Sequence, residues 1–86
     1  SSLQSSKSLL NSVKLQVKAA EIANEGITAE YESGIGGRST LDVIQSNSIL
    51  LNSKISLADS ERNYLLSQFR FLQSLGLLKN NYLNLQ

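Results

Sequence analysis

The sequence predicts an all-α fold, an antiparallel helical hairpin with coiled-coil packing. Three observations carry that expectation. From Leu3 to Tyr31 apolar residues recur at spacings of three and four, the period of one helix face. From Val43 to Leu78 they recur every seven residues, the period of a supercoiled seam. Between the two arms lies Gly34-Ile35-Gly36-Gly37-Arg38-Ser39-Thr40-Leu41-Asp42. Glycine reaches left-handed backbone angles without a Cβ penalty, so the chain can reverse there. Residues 1–86 form one unit on this reading: a helix over about 3–33, a turn at 34–38, a helix over about 39–78 and a short tail at 79–86.

The stripe of the first arm is Leu3, Leu10, Val13, Val17, Ala20, Asn24, Ile27 and Tyr31. A weaker second stripe runs through Leu15, Ala19, Ile22, Ala23 and Ala29, small enough in places for close helix approach. Gly26 costs about 1 kcal/mol of helix propensity against Ala; it marks either a tight contact or a tolerated weak point. Lys7, Lys14 and Lys18 come first on this arm, and Glu21, Glu25, Glu30 and Glu32 come last. That order opposes the helix dipole. A basic neighbour beside the acidic end would account for it, Arg38 being the nearest candidate; four solvated glutamates are the plainer alternative.

At the turn, Ser39 is the expected N-cap, with its side chain accepting from the Asp42 N–H and the Asp42 carboxylate reaching back to the Ser39 N–H. This is a capping box with Asp in place of the usual Glu. The glycines do not read as a phosphate loop, because no strand precedes them.

In the second arm Val43, Leu50, Leu57, Tyr64, Phe71 and Leu78 form one heptad row, and Ile44, Leu51, Ala58, Leu65 and Leu72 form another. Leu41, Ile55 and Phe69 widen the second row, which Ser48 and Arg62 interrupt. Two rows offset by one residue exceed what a single antiparallel helix covers, so neighbours are expected on two sides. The polar positions are mostly uncharged: Gln45, Ser46, Asn47, Ser48, Asn52, Ser53, Ser56 and Gln68. Ser and Asn are mediocre helix formers, so packing must hold this helix. Gly76 and Asn80-Asn81 predict fraying or a change of direction after Leu78, with Tyr82, Leu83 and Leu85 starting a further element.

Composition narrows the function. The 86 residues include no Cys, His, Met, Pro or Trp. Disulfides and thiolate metal sites are excluded, and a zinc site would need carboxylates alone; no metal and no cofactor are expected. A net charge of +1, with basic residues spread singly, gives no field for nucleic acid or anionic lipid. No apolar run reaches the length of a membrane span. Lys14 and Lys18 interrupt the only N-terminal apolar region, so the signal of a secreted parent would lie elsewhere. The first residue is Ser1 rather than Met, as in a processed chain or a fragment. No enzyme is expected. Ser53 and Lys54 are adjacent and do not face each other on a helix. Asp59 and Glu61 point to different faces, and Glu21 and Glu25 have no pocket beside them. Phe69-Arg70-Phe71 resembles a nucleic-acid patch, but both rings sit on the apolar rows, which favours packing.

Three segments carry a resemblance. Tyr31-Glu32-Ser33-Gly34 followed by Gly36-Gly37-Arg38-Ser39-Thr40-Leu41-Asp42-Val43-Ile44 is similar to a pattern of the TolC-like outer membrane efflux protein family. So are Ala58-Asp59-Ser60-Glu61-Arg62-Asn63-Tyr64-Leu65-Leu66-Ser67-Gln68 and Leu72-Gln73-Ser74-Leu75-Gly76-Leu77-Leu78. The likeness covers nearly everything from Tyr31 on, and the first arm matches only in style. It implies a trimeric channel-tunnel of the cell outer membrane, with a β-barrel in the membrane and an α-helical barrel in the periplasm. This chain would be one hairpin of that larger barrel, from the second structural repeat, and would touch the membrane only through the absent β-barrel part. The tip, Gly34, Gly36, Gly37, Arg38 and Ser39, would form the channel entrance and meet a periplasmic adaptor protein. Arg38 matches the family's tip arginine and Asp42 an entrance acid. Gln45 stands where the family often has a second acid, and the tip is about two residues longer than the shortest family pattern. Val43, Ile44, Leu50, Leu51, Leu57, Ala58, Tyr64, Leu65, Phe71 and Leu72 would pack the barrel wall.

Two functions compete. One is a conduit and docking element of an efflux or type I secretion system. The other is a self-contained coiled-coil hairpin acting as a protein–protein interaction module, such as an adaptor's own hairpin. Heptads support both equally; Arg38 together with Asp42 favours the first. In either case the isolated hairpin is expected to self-associate.

Overall fold

The computed structural model describes residues 2–84, with side chains over 3–76. Helix α1 spans Ser2–Ser33 and helix α2 spans Thr40–Asn84. They pack antiparallel along their length in a rod 76 × 15 × 13 Å across. Residues 34–39 connect them, and the positive-φ positions are Gly34, Gly36 and Gly37.

α2 continues past Leu78, where the sequence suggested a stop, and runs to Asn84. Gly76 is not among the left-handed glycines, so it makes no C-cap and remains a weak helical residue. Tyr82 and Leu83 belong to the same helix, and Leu85 lies outside the described residues.

The core is a single seam. Leu10, Val13 and Val17 of α1 are buried, flanked by half-buried Leu3, Ser6, Ala20, Asn24 and Ile27. From α2, Val43, Leu50, Leu57 and Tyr64 are half-buried against it, so the first heptad row faces α1. Phe71 is about half exposed, because it stands level with the start of α1; the Leu78 side chain lies outside the described residues.

The other inward position of each α2 heptad is serine. Ser46 and Ser60 are only 6% exposed, and Ser53 and Ser67 are half-buried. The sequence reading left Ser46 and Ser53 on the polar side; the structure puts them in the seam. A serine occupies little space and brings the helices close, but its hydroxyl must be satisfied. Ser67 Oγ and Ser6 Oγ share a hydrogen bond of 2.8 Å. Asn24 Nδ2 donates to Ser46 Oγ at 3.0 Å and to Asn47 Oδ1 at 2.7 Å. Ser53 Oγ donates back to the Leu50 carbonyl at 2.8 Å. Among the described residues no buried side-chain polar atom lacks a partner.

Gly26 marks no tight contact, since a Cβ there would meet nothing within 4 Å. The second row of α2, with Ile44, Leu51, Ile55, Leu65, Phe69 and Leu72, is exposed, as are Leu15 and Ile22 of α1. The hairpin thus buries one apolar row and displays another. No helix among the described residues is long and apolar enough to cross a membrane.

Candidate functional site

The tip is built from the end of α1, the connection and the first turn of α2. α1 stops because Gly34, Gly36 and Gly37 take φ of 74°, 96° and 67°, angles that an L side chain resists. Gly34 N–H donates to the Tyr31 carbonyl at 3.3 Å. Ser33 Oγ donates to the Glu30 carbonyl at 3.1 Å and accepts from Ile35 N–H at 3.3 Å.

α2 begins at a reciprocal cap. Ser39 N–H donates to Asp42 Oδ2 at 2.9 Å, and Asp42 N–H donates to Ser39 Oγ at 3.3 Å. The Ser39 hydroxyl also donates to Asp42 Oδ2 at 3.2 Å. Val43 N–H then closes the first helical turn on the Ser39 carbonyl at 3.3 Å. These bonds from Ser39, its backbone N–H first, stabilise the Asp42 carboxylate and lower its pKa.

Arg38 lies across the turn on α1. Its Nε donates to Glu30 Oε2 at 2.7 Å, with side chains 40% and 46% exposed. The hydrogen bond and the charge of Glu30 raise the Arg38 pKa further, so the guanidinium is always charged. Glu30 is therefore the one glutamate of the acidic end that Arg38 takes up. The glycine turn sets this pair: a Cβ on Gly36 would lie 3.3 Å from Glu30 Oε2. Beside it, Tyr31 Oη and Thr40 Oγ1 share a hydrogen bond of 3.0 Å between the helices.

The structure brings Arg38, Asp42 and Gln45 together along one groove, lined also by Ala23, Ile27 and Ile49. The glycines stand apart from it, at the apex. Ile35, 76% exposed, projects there and was not singled out from sequence, although an isoleucine between glycines in a turn has no core to enter. The sequence reading named Arg38 as the basic neighbour of the acidic end without choosing among its glutamates, and the Tyr31–Thr40 bond was missed. The signal of both contacts is pairing across the turn, which needs the loop path as well as the spacing. Among the described residues no cluster of three or more acidic, Cys or His groups suits a metal.

Neither a family model nor a solved structure matches the chain. Outer membrane protein TolC of Escherichia coli (strain K12) is 32% identical over 76 residues, which is 88% of this chain. The chain spans 15% of the length of that relative. Over most of its length this hairpin is therefore similar to one segment of outer membrane protein TolC, as an extended helical-hairpin fragment.

Proposed function

We propose that this hairpin is a periplasmic α-barrel segment of a trimeric outer membrane channel serving efflux or type I secretion. Its tip forms the channel entrance and docks a periplasmic adaptor protein. The observation that carries the reading is the pair of apolar rows on α2. One row packs on α1, and the second, with Ile44, Leu51, Leu65 and Leu72, stays exposed, as a barrel stave with a neighbour on each side requires. The likeness to outer membrane protein TolC supports it. Arg38 is the docking residue of the tip: Glu30 engages its Nε and steadies a fork whose other donors suit carbonyls or acids. Asp42 caps α2, and repeated by trimer symmetry it draws cations to the entrance.

The test uses the parent protein reconstituted in planar bilayers with its cognate adaptor. Arg38→Ala is expected to lower adaptor affinity or raise resting conductance while trimers still assemble. Asp42→Asn is expected to weaken cation preference. Wild-type values for affinity, conductance and selectivity together would leave Arg38 and Asp42 as structural residues only. A complete gene product no longer than this chain would favour the interaction-module reading instead.

A further inference from the structure

Arg38 and Asp42 are the charged groups that line the groove at the tip. Gln45, Ser46 and Ile49 continue it along α2 without charge. A base and an acid on one groove cancel each other's field at distances beyond their separation. Left so, the groove would attract neither cations nor anions. The cap does not alter this. Ser39 donates to Asp42 from neutral groups, which fixes the carboxylate and leaves its charge in place.

The direction in which Arg38 turns removes the conflict. Its Nε donates to Glu30 Oε2 at 2.7 Å, and Asp42 makes no ion pair among the described residues. The Arg38 pKa is raised first by the hydrogen bond to Glu30 and next by the charge of Glu30, with Asp42 coming after both. Local geometry keeps the arginine on that side. Gly34, Gly36 and Gly37 take left-handed angles and bring the connection back against the end of α1, where Arg38 meets Glu30. Gly36 carries no Cβ, which would lie 3.3 Å from Glu30 Oε2. Asp42 meanwhile is tied to Ser39 by its Oδ2. Glu32 is exposed and makes no ion pair among the described residues. Two residues on from Glu30, it stands on another face of α1 and does not replace it.

We propose that Glu30 is a specificity-determining residue of the tip: by taking up the charge of Arg38 it leaves Asp42 as the unopposed charge of the groove, so that the tip selects cations. The inference rests on the reading of Asp42 as an entrance acid, and adds to it a residue on the other helix that acts through Arg38. One tip thereby carries an arginine for docking and an acid for selection without either silencing the other.

The test is made on the parent protein in planar bilayers at about 150 mM salt, where exposed charges act over about 8 Å. The readout is the ratio of cation to anion permeability. Glu30→Gln is expected to lower the ratio at least about twofold, as Asp42→Asn does. Glu30→Gln combined with Arg38→Gln is expected to return it to within about 20% of the wild-type value. Arg38→Gln alone frees the Glu30 carboxylate and raises the ratio, whereas Glu32→Gln leaves it unchanged. Trimers assemble in every case. If Asp42→Asn lowers the ratio and Glu30→Gln does not, this inference is overturned and the entrance reading stands. The same holds if removing Arg38 fails to restore the loss, if Arg38→Gln alone lowers the ratio, or if Glu32→Gln lowers it equally. A ratio indifferent to Asp42→Asn overturns the entrance reading, and this inference with it.

Discussion

At Gly36 a side chain would meet two obstacles. Its φ of 96° lies where L residues are strained, and its Cβ would press on the carboxylate that holds Arg38. Gly36→Ala is expected to destabilise the hairpin by about 1–3 kcal/mol and to loosen the Arg38–Glu30 pair, read by urea melts and by NMR shifts of the Arg38 side chain. Asp42 gives a pH signature. Its pKa is lower folded than unfolded, so its stabilisation is complete above the unfolded value of about 4. That stabilisation is lost as pH falls through the folded value. Acid titration followed by circular dichroism should show the start of α2 fraying in that window. Ser39→Ala, which removes the cap at a cost of about 1 kcal/mol, should shrink the acid-linked change.

At the level of the elements, the α1–α2 seam alternates apolar layers with serine layers, and its two kinds of layer respond differently to change. Ser60 is 6% exposed, so Ser60→Leu forces the helices apart and is expected to cost about 1–3 kcal/mol. Asn24→Ala leaves the Ser46 hydroxyl without its donor and is expected to cost about 1–3 kcal/mol. Both are measurable by chemical denaturation. The seam also shows what the sequence could and could not convey. Leu10, Val13 and Val17 were readable because apolar residues at helical spacing have one natural destination. Ser46 and Ser60 were not, because a serine scores as polar wherever it stands; only its recurrence every seven residues betrays a buried row. The cap between Ser39 and Asp42 is local and was legible from four residues. That Arg38 serves the acidic end of α1 was open to the sequence as one of two readings, but which glutamate it takes, Glu30, depends on the path of the loop and was not. The end of α2 was misjudged because Gly76 reads as a stop in sequence, yet it does not take the left-handed angle that a stop requires.

Across the whole molecule, charge is sorted by height along the rod. Glu21, Glu25, Glu30, Glu32 and Asp42 outweigh Arg38 towards the tip. Lys7, Lys14, Lys18, Lys54, Arg62 and Arg70 outweigh Asp59 and Glu61 towards the other end. A net charge of +1 conceals this polarity, which the entrance reading uses. The serine layers have a calorimetric consequence. Heat capacity rises on unfolding chiefly because apolar groups become hydrated, and here only Leu10, Val13 and Val17 are buried apolar side chains among the described residues. The increment should therefore fall below the ~12–15 cal/mol/K per residue usual for globular domains. Scanning calorimetry of the dilute chain is then expected to give a broad, low-enthalpy endotherm and a stability curve with little curvature. Such a hairpin loses hold gradually as it warms and has almost no tendency to unfold in the cold.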